Sequence, residues 1–293
     1  MLLGLLYVVL WSSASVAAKF LRGDAAPLTA LVLRFALAGG LLSIVNYGIL
    51  KQNRLPKGVE WRHLAVLGFC NSAGYLGLAW TAIPNISVGL FNLVVASGPF
   101  VVALLSKVWL GRAIAGREWL GMCIAAAGLL IVIGPSLGDA SATPLAVGMV
   151  CLAVIINSIG SVYARRVQLQ LSPFVINGWQ LLIAVVMLAP VAALLNNGIA
   201  LRPSLNLVVA VGWSGLPVSI GAMAIWFTMV RKDALRASTW LFLTPVAGYG
   251  LAALFLGESV HLWDIMGAVF VMIGLAVSGT IDVRAVRALL KQR

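Results

Sequence analysis

Long apolar runs separated by short polar connections dominate this chain. Ten runs approach the roughly 20 mostly apolar residues that a helix needs to cross a bilayer. They are 2–18, 28–50, 62–82, 86–107, 118–134, 145–164, 173–195, 206–227, 237–256 and 262–280. Several are short, which implies tilt or local thinning of the bilayer. The pattern predicts an all-α membrane protein of ten transmembrane helices. The first run has the length of a signal peptide. It lacks a basic leading region and a small-residue cleavage site, and it has a counterpart in the second half. It reads as a retained helix.

Composition fits this picture. Of 293 residues, 62% are hydrophobic and 10% charged, with a mean hydropathy of +1.05. Soluble domains are about half apolar and a quarter charged, so lipid must be part of the solvent here. The net charge of +12 does not mark nucleic-acid binding, because the basic residues sit between the apolar runs and not on one polar face with aromatics.

The two halves superimpose without a gap at an offset of 146 residues, the separation of Pro27 and Pro173. Trp80 then meets Trp226 and Pro99 meets Pro245. Gly111, Gly121 and Gly128 meet Gly257, Gly267 and Gly274. Rare residues therefore repeat together with every apolar run. Internal repeats in apolar chains are a mark of secondary transporters, with a substrate site near mid-membrane. The expected division is a first repeat at 1–139, a second at 140–281 and a basic cytoplasmic tail at 282–293.

Charge sets the orientation. With ten spans, one face collects Lys51, Arg54, Lys57, Arg62, Lys107, Arg112, Arg117, Arg165, Arg166, Arg231, Lys232, Arg236, Arg284, Arg287, Lys291 and Arg293. The other face holds Lys19, Arg22 and Arg202, and Arg34 lies within the second span. The positive-inside rule puts the basic face and both termini in the cytoplasm. Five helices per repeat is odd, so the second repeat enters the membrane upside down. Equivalent connections have exchanged charge accordingly. Ala82–Ser87 carries none, while Thr228–Asp233 carries Arg231 and Lys232.

The run from Ser97 to Ser106 (SGPFVVALLS), followed by Leu110-Gly111-Arg112, Trp119-Leu120-Gly121 and Gly128, resembles the end of an EamA module. Thr244-Pro245, Leu256-Gly257-Glu258, Gly267 and Gly274 repeat it. The chain thus resembles the drug/metabolite transporter superfamily over its whole length. Within it, the texture is most similar to bacterial exporters of aromatic and other amino acids. The resemblance implies ten helices in two modules and export of small metabolites. Arg112 departs from the acidic residue usual after Leu-Gly, and its expected cytoplasmic position offers a reason.

Polar and amphipathic aromatic residues near mid-span are expected to face inward, since lipid is a poor partner for them. In the first helix Tyr7, Trp11 and Ser15 share a face at i, i+4, i+8. Asn157 and Ser161 occupy the counterpart face of the sixth. The third helix adds Asn71 and Tyr75, the fourth Asn92, the eighth Trp213 and the ninth Ser238 and Trp240. The alternative role for each is packing by hydrogen bonds between helices, worth about 0.6 kcal/mol apiece. Arg34 is either a reader of a substrate carboxylate or a snorkelling side chain about 11 Å from the outer end. Pro99 and Pro245 are hinge candidates, or static bends. Gly121 with Gly128, and Gly267 with Gly274, suit close scaffold packing in helices five and ten. Trp119 and Trp263 read as interfacial anchors. His63 and His261 lie at span ends.

Cys70, Cys123 and Cys151 show no disulfide or metal spacing and read as small buried hydrophobes. No metal, cofactor or nucleic acid is implied. No Gly-x-x-x-x-Gly-Lys loop, His-Glu-x-x-His or Gly-x-Ser-x-Gly motif occurs, which disfavours nucleotide hydrolysis and enzymatic activity. All eight carboxylates lie in connections or at span ends, so no mid-membrane proton relay is evident. The expected partners are a small-molecule substrate and the lipid bilayer, in a monomer or weak homodimer of the bacterial inner membrane. The expected activity is broad, facilitative export by alternating access. Alternatives are a sugar-phosphate or nucleotide-sugar exchanger, a drug exporter, and a membrane-embedded enzyme. Phosphate recognition would want several inward basic residues, and Arg34 is one. Cysteines introduced beside Asp139 should label with an impermeant reagent from outside the cell, and those beside Lys57 or Arg231 should not. Labelling of all three from one side would end the inverted-repeat topology.

Overall fold

The computed structural model describes residues 2–19, 24–49, 54–82, 85–86, 91, 94–95, 97–133, 143–195, 201–256 and 262–279. Among them the regular structure is helical, with one isolated antiparallel bridge between Ala25 and Leu201. The first half contributes α1 (Leu2–Lys19) and α2 (Pro27–Ser43), which ends in a π-helical turn at Ile44–Ile49. Next come α3 (Val59–Gly68), a π-helical segment Phe69–Ala73, and α4 (Gly74–Ala82) as one continuous run. Then follow α5 (Gly98–Leu110) and α6 (Gly116–Ile133). The second half has α7 (Pro144–Val167), α8 (Pro173–Leu195), and α9 (Leu205–Trp213) joined through π-helical Ser214–Ala222 to α10 (Met223–Lys232). It closes with α11 (Ala234–Thr239), a 3-10 turn Trp240–Phe242, α12 (Leu243–Leu256) and α13 (Leu262–Val277).

Five of these runs are long and apolar enough to cross a membrane: Pro27–Ile49, Val59–Ala82, Pro144–Val167, Pro173–Leu195 and Leu205–Lys232. Their outer surfaces carry bare aliphatics such as Leu145, Val186, Leu194 and Leu205, as a lipid-facing surface should. The protein is a multi-pass membrane protein. The helices end where local chemistry says they must. Pro27, Pro144 and Pro173 open α2, α7 and α8, where a missing N–H costs nothing. Asp233 caps α11 by accepting from the Leu235 and Arg236 amides. Gly111, at φ +62°, turns the chain out of α5.

Several boundaries depart from the apolar runs. The run read as 206–227 continues to Lys232, where the Arg231 guanidinium donates to the carbonyls of Leu169 and Leu171. The run read as 86–107 is described as a helix over Gly98–Leu110, and Asn92 lies outside the described residues. So do Asp139, His261 and the tail 282–293. Cys70 is buried, but Cys123 and Cys151 are exposed. They correct the reading of all three as buried, since a thiol is apolar enough to face lipid at little cost.

Helices five and ten, here α6 and α13, pack backbone to backbone. A Cβ on Gly121 would strike the Ser278 amide and the Gly274 carbonyl; one on Gly128 would come within 2.7 Å of the Gly267 carbonyl. One from Gly274 would lie 2.5 Å from the Gly121 carbonyl. Positions 121 and 128 thus face 274 and 267, so the two helices run antiparallel. The offset of 146 carries the 121–274 contact onto 267–128. The π-helical segment Phe69–Ala73 likewise maps inside Ser214–Ala222. Pro217 has no N–H to give the helix, which favours the wider turn there.

Connections at the helix ends fall into two groups. The Asp24 carbonyl accepts from the Arg202 amide at 2.9 Å, and its carboxylate from Ser204 Oγ at 2.6 Å. The Asn85 carbonyl accepts from the Thr143 amide. At the other end, Arg112 reaches Asp233, and Arg231 reaches the 169–171 turn. Gly274→Leu should destabilise the fold by about 1–3 kcal/mol through overpacking, read as a lower unfolding temperature in detergent. Gly148→Leu, with nothing within 4 Å of an added Cβ, should stay within about 0.5 kcal/mol of the parent.

Candidate functional site

A narrow cleft lies where both halves meet. Its free volume is about 10 Å³, between Tyr75, Val95, Gly98 and Val102 on one side and Val154, Asn157, Ser158, Ser161, Trp226, Ser238 and Leu241 on the other. The α7 residues recur at i, i+3, i+4 and i+7, which sets them on one helical face. Ser158 Oγ donates to the Val154 carbonyl at 2.7 Å, Ser161 Oγ to Asn157 at 2.9 Å, and Ser238 Oγ to Leu235 at 2.8 Å. Each hydroxyl proton is committed to its own helix, and each oxygen keeps lone pairs. Among the described residues no hydrogen bond ties the Asn157 carboxamide, which is half-buried. It therefore has donors and an acceptor to offer a solute.

Trp226 forms one wall. Behind it the Tyr7 ring stacks at 5.1 Å, and Trp11 stacks on Tyr7 at 5.8 Å. Sequence reasoning placed Tyr75, Asn157, Ser161 and Ser238 here, and the structure brings these together. Tyr7 and Trp11 form a supporting aromatic layer. Trp226 and Ser158 were missed. The run read as 206–227 put Trp226 at its very end, where a tryptophan resembles a lipid anchor; the longer helix places it deeper. The signal was the repeat itself, which had already paired it with Trp80.

Other candidates lie elsewhere. Trp213 is 47% exposed, and its Nε1 donates to Ser13 Oγ at 2.9 Å. It ties α9 to α1 and is not among the residues that line the cleft. Trp240 is buried against the backbone of Gly4, where any side chain would clash. The side chain of Ser15 lies outside the described residues. Pro99 sits in the first turn of α5, after a turn at Ser97, and Pro245 is the third residue of α12, after the 3-10 turn. Both prolines thus begin a helix at equivalent interruptions, where the missing amide is tolerated. His63 bonds the Tyr163 hydroxyl at 2.6 Å, joining α3 to α7.

Asn71 and Arg34 belong to a buried polar chain beside the cleft. Arg34 Nε donates to Ser219 Oγ at 2.7 Å. The Ser219 carbonyl, in the π-helical segment, accepts from Asn177 Nδ2 at 2.5 Å. Gln180 Nε2 donates to Asn177 Oδ1 at 3.1 Å, and Asn71 Nδ2 approaches Gln180 Oε1 at 3.4 Å. Among the described residues Asn71 Oδ1 has no hydrogen-bond partner, and it faces the α-carbon of Gly160, where a Cβ would collide with it. Arg34 and Gln180 are repeat counterparts, and both are buried.

An ionic cluster closes one end. Arg112 contacts Glu118 at 2.7 Å and Asp233 at 2.8 Å. Burial works against the Arg112 charge, yet the bonds to Glu118 and the field of Asp233 hold its pKa above the ordinary arginine value. Among the described residues no group of three or more His, Cys, Asp or Glu side chains could hold a metal.

The profile of the EamA-like transporter family matches the chain twice, over residues 1–134 and 144–280. The chain belongs to that family, within the drug/metabolite transporter superfamily. It is 26% identical to the uncharacterized inner membrane transporter YedA of Escherichia coli K12 over 257 residues, covering 86% of this chain and 82% of that one. It is 26% identical to PecM of Dickeya dadantii, covering 89% and 86%. A WAT1-related chloroplast protein of Arabidopsis thaliana is 25% identical over 90% of this chain, which spans 66% of that longer protein. A solved crystal structure superimposes with a TM-score of 0.78 at 20% identity, covering 94% of this chain and 95% of that one; the likeness shows a shared fold.

Arg112→Ala should lower stability by about 1 kcal/mol. That is below the roughly 1.5–3 kcal/mol of a charge-assisted bond, because the partners are partly hydrated. The deficit, measured by thermal unfolding, should shrink in about 1 M salt, where the Debye length is about 3 Å. A deficit that does not respond to salt would count against an ionic origin.

Proposed function

We propose that this membrane transporter exports amino acids or similar small metabolites from the cytoplasm, facilitatively and with broad specificity, by alternating access. One observation carries the reading. The cleft between the two halves is lined by serine oxygens, two aromatic rings and a carboxamide with no described partner, and among the described residues no acid or base lines it. Such a wall gives exchangeable hydrogen bonds and stacking faces to zwitterions with different side chains. It lacks the cluster of cations that a phosphate would need. That is why a sugar-phosphate or nucleotide-sugar exchanger remains the second choice.

The architecture supports the mechanism. Equivalent helices α6 and α13 pack antiparallel about an approximate two-fold, as two inverted five-helix repeats would. The contacts between connections group them at two ends, which is compatible with ten spans, and the charge pattern favours both termini in the cytoplasm. We read 1–139 and 140–281 as the repeats and the inner membrane as the location, in a monomer or weak homodimer. Relatives named as transporters, one of them of an inner membrane, support this reading. The absence of a carboxylate from the described cleft wall favours a facilitator, since a proton biases two states only through differential affinity.

In liposomes holding the purified protein, amino-acid flux should follow the solute gradient in either direction and persist when the proton gradient is collapsed. Asn157→Ala or Trp11→Ala should cut it about tenfold, the equivalent of one lost hydrogen bond or ring contact of about 1.4 kcal/mol, with normal folding. Accumulation against a gradient that a protonophore abolishes would show coupling. Unchanged flux in both variants would remove the cleft from the pathway.

A further inference from the structure

Arg34 is the buried cation that the cleft does not use. It is 3% exposed and lies seven residues into α2. A guanidinium carries five N–H donors in a rigid fork. Among the described residues Arg34 makes one hydrogen bond, from Nε to Ser219 Oγ, and no carboxylate pairs with it. The Phe35 ring, 5.9 Å from the guanidinium carbon, adds a weak cation–π contact. Desolvating an unpaired ion costs far more than these two contacts return. Geometry alone does not require the charge, because the counterpart in the second repeat, Gln180, occupies an equally buried place as a neutral amide.

The orientation is fixed as well. Ser219 Oγ donates onward to the Ser214 carbonyl at 3.0 Å, a bond between residues five apart in the π-helical segment. Its oxygen is thus turned to accept from Arg34. Its backbone carbonyl is held by Asn177, which is held in turn by Gln180. One edge of the fork is therefore anchored to a braced element. The two Nη groups are left as a pair of parallel donors, the arrangement that receives an anion in bidentate fashion.

We propose that Arg34 is an anion-binding site whose Nη edge receives a carboxylate or a small inorganic anion. The anion is either the carboxylate of a carried zwitterion, which rests on the transport reading above, or chloride from the medium. Binding supplies the missing counter-charge to α2 at the point where it meets the π-helical part of the α9–α10 run.

The test is thermal unfolding of the purified full-length protein at constant ionic strength, set by a bulky sulfonate buffer. The probes are glycine, glycinamide and chloride. A rise with glycine and none with glycinamide assigns the site to a solute carboxylate; a rise with chloride assigns it to an inorganic anion. Either response should vanish in Arg34→Gln, which places the second repeat's residue in the first. Arg34→Lys keeps the charge without the fork, and should weaken apparent binding at least about tenfold, the order of one lost charge-assisted bond. It also serves where Arg34→Gln does not fold. A response of equal size in wild type and Arg34→Gln, or no response to any probe, overturns the proposal. The readout is binding. Glycine flux through liposomes together with an unfolding response that survives Arg34→Gln would therefore sink the anion site and spare the transport reading. An Arg34-dependent response without glycine flux would do the reverse.

Discussion

Polar groups withdrawn from water in a lipid-solvated bundle must find partners within the protein. The arrangement of this chain follows from that constraint. Asn71, Asn177, Gln180, Ser219 and Arg34 come from two apolar helices and two π-helical segments, and they line up because each offers what its neighbour needs. The cleft is where the constraint is left open. Its hydroxyl protons are returned to their own helices, and the Asn157 carboxamide has no described partner. The same physics that drives polar side chains together in one place makes the place where they do not close the natural seat for a solute.

Backbone irregularity has the same distribution. The α3–α4 run and the α9–α10 run carry π-helical segments at equivalent positions, and the chain before Pro99 and before Pro245 is interrupted at equivalent turns. Departures from the α-helix at membrane depth are tolerated where protein or a cavity meets the freed groups. Here these segments adjoin the cleft or the buried polar chain. By contrast α6 and α13 are uninterrupted, and glycine lets their backbones touch along one seam. Such close packing resists sliding. The bundle thus pairs a tight seam between counterpart helices with looser, interrupted helices around the cleft.

Much of this was legible in the sequence because lipid simplifies the code. Length and hydropathy locate helices, and repeated Pro, Trp and Gly mark equivalent places. The i, i+4 spacing of Asn157 and Ser161 marked one face of their helix, and it is the face that meets Tyr75. What escaped was set by contacts between helices and by where each run truly ends. Trp213 sits just before the π-helical segment, and nothing within its own run foretold its bond to Ser13 of α1. Trp226 looked terminal because hydropathy fades before Lys232, although the helix does not. No pattern within one helix could reveal that Arg34 would be anchored on Ser219, from a helix 185 residues away in sequence. Nor could it show that Asn71 would face Gly160, because a side chain's partner across a bundle is not encoded by periodicity.

The central claim is that one cleft, shared by both halves, is exposed to each side of the membrane in turn. The direct measurement is the reactivity of Asn157→Cys, in a background with Cys70, Cys123 and Cys151 replaced, toward an impermeant thiol reagent. It would be applied to right-side-out and inside-out vesicles in turn. Alternating exposure predicts labelling from both sides, slowed from both by a carried solute. Labelling confined to one side under every condition, or unaffected by any solute that crosses, would contradict it.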